Sequence, residues 1–288
     1  MTALRPFAPG DIFVTASTLD ESARFPTGQG KVLQFDRHWQ PKGSYETGHT
    51  GLISALALDL AGNLHALDPQ ARRITSLGPD GAVIGAFAKL PERAYGSMIV
   101  LPDGDFLIGE HMVGQIPGFS GDGKVYRVAA DGSVLAAYDT ETNGGMGGFL
   151  GVTHMALSAD GQTLYHTSET GAHVYALDLA ADRRLGAVYT CSDPPPLVFG
   201  LAMLADGELM LACGSEFRRI DPISGTARSI AMPDGRGWAV AIGRGEQLWA
   251  LDFFGGRVAL IDLASGAAKQ LHELGLAKCL TGIAEFPA

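Results

Sequence analysis

His111 and His154 each stand at the end or the beginning of an alternating apolar run. An imidazole titrates near neutrality, so either residue suits general acid or base work. Glu110 adjoins His111. A carboxylate there can orient the imidazole, or act as a base itself where burial raises its pKa, and Glu169 has the same two options. Tyr95 offers a phenol to a developing oxyanion. Trp238, Phe199 and Phe253 would supply an apolar wall of the kind that lines small-molecule pockets. Arg236 would hold a substrate carboxylate, and His49 is a further imidazole in reach of the same region. Each residue also has a plainer reading. His154 could bond a backbone carbonyl, Glu110 and His111 could be solvated at a loop root, and Trp238 could be packing alone. Asp68 and Asp252 read as turn caps.

Scattered as they are, these residues do chemistry together only if a repeated element gathers them. One phrase recurs: alternating apolar residues, a turn with Asp or Gly, then a second apolar run. It runs Ser54 to Leu64, Ser97 to Phe106, His154 to Leu164, Gly200 to Leu209 and Trp238 to Leu248. Its turn glycines are Gly62, Gly104, Gly161, Gly207 and Gly245, spaced by 42, 57, 46 and 38 residues, which suits the period of roughly 40–50 residues of a four-stranded propeller blade. The alternation with its turn reads as a β-hairpin. Third runs follow at Lys31–Phe35, Arg73–Leu77, Lys124–Val128, His173–Leu177, Glu216–Ile220 and Arg257–Ile261.

Five blades are complete within the chain, and the two ends leave remnants. Thr281–Phe286 reads as an innermost strand, and Asp11–Thr15 opens a set of second, third and fourth strands. Joined, they make a sixth blade. The expectation is therefore an all-β, six-bladed β-propeller, one domain over 1–288. Blade one spans 11–48 plus 280–287, and blades two to six span 51–87, 95–139, 150–190, 198–231 and 237–272. The segment Gly266–Ala277 is the one weak helical candidate, and the repeat claims its first half as strand. In such a ring, one face collects the entrances to the inner strands and the loops between second and third strands. Two of those loops, 16–30 and 110–123, are long enough to cover a channel mouth.

Composition narrows the classes. The chain has 288 residues, 21 basic and 31 acidic side chains and a formal charge of -10, which disfavours nucleic acid as a partner. Hydrophobic residues are 46% and glycines number 39, which suits a globular, turn-rich chain. No apolar run is long enough to span a membrane. The three cysteines, Cys191, Cys213 and Cys279, lack metal-type spacing and form no disulfide framework, and a cytoplasmic location is expected.

The phrase from Thr153 to Tyr165 resembles the gluconolactonase/regucalcin-like and strictosidine-synthase-like propellers, and Gly51–Phe87 is similar to an NHL-type blade. The resemblance implies a hydrolase or lyase with its site over the channel. It also implies a divalent cation held by Glu, Asn and Asp at the inner-strand entrances. Here Thr153 stands at the Asn position, Phe199 at the Asp position, and Thr281 where a carboxylate is wanted. The oxygen ligands of a calcium-type site are thus missing. Zinc held by His154, His111 and a third ligand is the remaining metal option. The expected function is lactonase-like hydrolysis or lysis of a small, partly apolar or aromatic substrate, with His154 as the leading acid–base group. The alternative is a non-enzymatic scaffold that binds a protein or peptide on one face.

Overall fold

A computed structural model describes residues 3–19, 28–111, 121–141, 151–169, 171–191, 198–213, 216–231, 238–244 and 247–287. Among them every regular element is a strand, and the strands form six four-stranded antiparallel sheets. Each sheet is a blade of a six-bladed propeller.

The first blade contains β1 (Ile12–Leu19), β2 (Gly28–Phe35) and β3 (Pro41–Thr50), and the second β4 (Ala55–Leu58), β5 (Leu64–Asp68), β6 (Arg73–Leu77) and β7 (Val83–Ile84). The third has β8 (Tyr95–Val100), β9 (Phe106–Glu110), β10 (Val125–Val128) and β11 (Val134–Tyr138). The fourth has β12 (His154–Leu157), β13 (Thr163–Thr167), β14 (His173–Asp178) and β15 (Arg183–Thr190). The fifth has β16 (Val198–Met203), β17 (Leu209–Cys213), β18 (Glu216–Ile220) and β19 (Ala227–Ala231). The sixth has β20 (Trp238–Arg244), β21 (Gln247–Asp252), β22 (Arg257–Asp262) and β23 (Ala268–Glu273). The last strand, β24 (Ile283–Glu285), pairs with β1 through Ile12↔Glu285, Phe13↔Ala284 and Val14↔Ile283, so the two chain ends complete the first blade. Closure protects sheet edges that would otherwise template pairing with other chains.

The repeat phrase becomes the inner hairpin of each blade because its alternation gives one strand face to each neighbouring blade. Six clusters of buried apolar side chains result, one at every blade interface. Phe13 lies between the first and second blades, Phe106 between the second and third, and Phe217 between the fifth and sixth, all essentially without exposure. Full burial of each contributes roughly 1.5–3 kcal/mol. The turn glycines Gly62, Gly104, Gly161 and Gly207 have φ of 80, 89, 73 and 87°, a region side chains seldom adopt; Gly245 lies outside the described residues. Asp103, Asp160 and Asp206 cap those turns by accepting from the amide two residues on.

Within Gly266–Ala277 the repeat's claim prevails over the faint helical pattern: β23 pairs with β22 from Arg257↔Glu273 to Ile261↔Ala268. One expectation needs correcting. The segment 16–30 is not a loop throughout. Ala16↔Lys31, Ser17↔Gly30, Thr18↔Gln29 and Leu19↔Gly28 extend the β1–β2 ladder beyond the blade's usual end, leaving 20–27 outside the described residues. Glu110 belongs to β9 rather than to a loop, and 112–120 are likewise outside.

Candidate functional site

The inner strands of the second to fifth blades, with Thr281 and Gly282 ahead of β24, line a cavity of about 100 Å³ on the propeller axis. Its wall includes Ser54, Ser97, Thr153, His154 and Thr281. Most of these hydroxyls fasten blade to blade. Ser54 Oγ donates to Gly96 O at 2.8 Å, Ser97 Oγ to Val152 O at 3.2 Å, and Thr281 Oγ1 to Ile53 O. Thr153 Oγ1 instead bonds Thr167 O within its own blade at 3.2 Å. Thr153 and Thr281, two of the three positions where the resemblance places metal ligands, are thus engaged in backbone hydrogen bonds at strand entrances. Among the described residues, His154 is the one titratable side chain on this wall.

The strand entrances are irregular where the chemistry collects. In the third blade the β8–β9 ladder slips between Tyr95 and Ser97, so Gly96 bulges out. In the fifth, the β16–β17 ladder slips between Val198 and Gly200, so Phe199 is the extra residue. Bulges re-aim side chains at such rims. The Gly96 bulge makes room for His111, which follows β9, and His111 N donates to Ala94 O at 2.7 Å. Burial lowers the pKa of His111 to about 4 and leaves its Nδ1 without a hydrogen-bond partner. Burial also lowers His154 to about 3, and the charge His111 would carry adds to that shift. The third and fourth blades therefore bring two imidazoles into electrostatic contact, both neutral at pH 7.

Glu110 has a different environment. Its carboxylate is fully buried. Oε1 accepts from Arg93 Nη1 at 2.8 Å, and Oε2 accepts from the amides of Asp122 at 2.9 Å and Lys124 at 3.3 Å. Those bonds clamp the β9–β10 connection. Its counterparts at the end of the second strand are Asp68, Ser168, Cys213 and Asp252, all buried. Asp252 caps its turn through Gly255 N at 2.7 Å and pairs with Arg257 at 2.6 Å. Asp68 caps its own turn through Ala71 N at 2.9 Å, but its Oδ2 has no partner, and burial raises its pKa to about 6.

One residue further along is the position of His111. In the fourth blade Glu169 occupies it, and Phe253 does so in the sixth. Glu169 lies two residues beyond Thr167, which pairs with His154. Its carbonyl accepts from Val198 N at 3.0 Å, so its backbone spans the fourth and fifth blades. Burial alone raises its carboxyl to about 7. An acid–base group with its pKa near the working pH is the most effective kind. The sequence pairs Glu169 with Glu110 as alternatives, and burial with charge partners separates them.

The expected wall is partly assembled. Phe199 and Phe253 are near-parallel with ring centroids 6.3 Å apart. Phe254 stands edge-on to both, at 6.0 Å and 5.2 Å, and is 46% exposed. Sequence reading missed Phe254, although its adjacency to Phe253 just past a second strand was the available signal. The side chain of Trp238 and all of Arg236 lie outside the described residues. Tyr95 is buried between the second and third blades, edge-on to Tyr126 at 6.1 Å, with its hydroxyl unpartnered and its pKa raised by burial. It does not line the axial cavity. His49 lies near the end of β3, the outer strand of the first blade, its amide 3.4 Å from Thr47 Oγ1. Among the described residues no group of three or more His, Cys, Asp or Glu side chains could hold a metal ion. Among the described residues, His111 and His154 thus have no third such donor beside them.

No known family matches this sequence, and no curated protein matches it. Solved structures do. Virginiamycin B lyase from Staphylococcus aureus, crystallised with quinupristin, is similar at a TM-score of 0.57 and 14% identity, over 98% of this chain and 86% of that one. A chain of the nidogen/laminin complex gives 0.67 and 15%, over 96% and 98%. A protein of unknown function from Bacteroides caccae gives 0.68 and 15%, over 98% and 100%. At such identities the likeness carries the architecture alone: the chain is a six-bladed β-propeller.

Proposed function

We propose that this propeller cleaves a C–O bond in a small ester or lactone with an apolar or aromatic part, as a lyase or a hydrolase. The observation that carries the reading is the carboxyl of Glu169, raised to about 7 by burial in the blade whose inner strand opens with His154. As a carboxylate, Glu169 takes a proton either from carbon beside a carbonyl or from an attacking water. In the first case the freed electron pair forms a double bond and the C–O bond breaks. In the second, water adds and the ester opens. Neutral His154 and His111 donate hydrogen bonds to the oxygen that gathers charge, a role in which a low pKa keeps the imidazoles uncharged. Phe199, Phe253 and Phe254 hold the apolar part. The cleft between lyase and hydrolase is chemical, and product mass decides it.

The test incubates the protein with quinupristin and with a panel of aromatic esters and lactones, then weighs the products. Elimination from a lactone leaves the mass unchanged, and hydrolysis adds one water. Glu169→Gln should reduce turnover by roughly 10²–10⁴ with circular dichroism unchanged. Equal rates in both proteins, or no turnover of any probe, would remove the reading. A protein- or peptide-binding surface is the second reading, favoured by the exposure of Phe254. It requires that Phe254→Ala abolish capture of a partner while Glu169→Gln leaves capture intact.

A further inference from the structure

Cys191 and Cys213 come from different blades, 22 positions apart, yet their sulfurs are 3.2 Å from each other. Cys191 follows β15 at the start of the connection from the fourth blade to the fifth. Cys213 ends β17 and pairs with Val198, where that connection arrives. Both sit in the apolar cluster between those blades. The Arg218 side chain attracts charge on Cys213 and is itself anchored to Tyr189 Oη at 2.7 Å and Glu216 Oε1 at 2.7 Å. Cys279, the remaining cysteine, is remote from the pair: its Sγ bonds Leu276 O near the first blade.

We propose that Cys191 and Cys213 form an oxidisable pair, closing a disulfide between the fourth and fifth blades on exposure to a small disulfide oxidant. The sulfurs need to approach from 3.2 Å to about 2.05 Å. The step balances with oxidised glutathione as the co-reactant. One cysteine thiolate attacks a glutathione sulfur, giving a mixed disulfide and releasing a glutathione thiolate. The second cysteine loses its proton and attacks the mixed disulfide, expelling the second glutathione. Two protons and two electrons pass from the protein to the oxidant, which leaves as two thiols. The new bond ties both ends of the connection that leads into Phe199. Burial pushes the Cys213 thiol well above its ordinary value, which slows the reaction by keeping little of it as thiolate.

The sequence makes the test direct. No Lys or Arg lies between Arg184 and Arg218, so trypsin leaves both cysteines on one peptide, 185–218, and Cys279 on another, 279–288. The reduced folded protein is held with oxidised glutathione, denatured, alkylated and digested. The expected result is a 185–218 peptide lighter by two hydrogens and free of alkyl groups, with Cys279 alkylated. Addition of dithiothreitol before alkylation should restore two alkyl groups. Cys213→Ser should leave Cys191 alkylated or carrying glutathione, never internally bonded. Full alkylation of 185–218 after oxidation, or a stable glutathione adduct on the wild-type pair, overturns the proposal.

Discussion

A side chain on Gly96 would begin where His111 already is: a Cβ there would stand 2.3 Å from both Cβ and Nδ1 of His111. Two neighbouring strands thus share one volume, and the glycine cedes it to the imidazole. Gly96→Ala is expected to expel His111 from its place or force the β8 bulge to shift, at a cost of roughly 1–3 kcal/mol. Urea unfolding measures the cost. NMR titration reads the second effect, because a displaced His111 should regain an ordinary imidazole pKa from its present value of about 4. Unchanged stability with an unchanged His111 titration would mean the two residues do not compete.

The carboxylates of Asp68 and Asp252 occupy the same place in their blades but face opposite partners. Asp252 is fully buried and bonded to Arg257, and removing one member of such a pair is strongly destabilising. Asp252→Ala is expected to cost about 3–5 kcal/mol. Asp68 has an unpartnered Oδ2 and a pKa raised from 3.8 to about 6. Asp68→Asn should therefore stabilise the fold by about 1–3 kcal/mol at pH 8, since the amide oxygen still accepts from Ala71 N. The gain should shrink to a small remainder near pH 4, where the folded carboxyl is protonated and the unfolded one, at 3.8, is about half so. Denaturant midpoints at the two pH values decide it, and a loss of stability at pH 8 would contradict the argument.

These contrasts mark what sequence makes legible. The repeat of hairpin phrases, with glycines such as Gly104 and Gly161 at aligned turns, reveals the blades because a period of apolar alternation maps directly onto strand burial. The pairing of the chain ends is legible for the same reason: Thr281–Phe286 has a strand pattern and no partner nearby in the sequence. The site is less legible. Glu110 and Glu169 are the same residue type at neighbouring register positions, and what marks Glu110 as a structural clamp, Arg93 with the amides of Asp122 and Lys124, comes from the folded blade. The Cys191–Cys213 approach depends on blade packing, which spacing along the chain does not encode.

One hydroxyl joins the chain ends beside the β1–β24 ladder. Thr15 Oγ1 accepts from the amides of Thr281 at 2.8 Å and Gly282 at 2.9 Å, and it lies 3.3 Å from Cys279 O as donor. Thr15→Val keeps the shape and β-propensity but strands two buried amides. The expected loss is about 2–4 kcal/mol, larger than for Ser54→Ala, which removes a bond between complete blades and should cost about 1 kcal/mol. Thermal or urea unfolding of the two variants tests the ranking, and equal losses would show that the first blade is closed by its β1–β24 ladder alone.

The shifted groups Glu169, His111 and His154 oppose one another as pH changes. Glu169 has its pKa raised from 4.5 to about 7, so the folded chain keeps a proton that the unfolded chain releases. Its contribution to stability is full below about 4.5 and is lost as the pH rises through 7. His111 and His154 are lowered from 6.5 to about 4 and about 3, so the unfolded chain takes up protons that the folded chain refuses. Their contribution is full above about 6.5 and is lost as the pH falls toward 4 and 3. Glu169→Gln should therefore raise the urea midpoint at pH 8 and leave it unchanged at pH 4. His154→Asn should do the reverse, raising the midpoint at pH 4 and leaving it unchanged at pH 8. Midpoints that shift by the same amount at every pH would show that neither group is held in the protonation state that burial imposes. The acid–base assignment of Glu169 would lose its physical basis with that result, because a carboxyl of ordinary pKa is ionised throughout the neutral range and has no proton to exchange there.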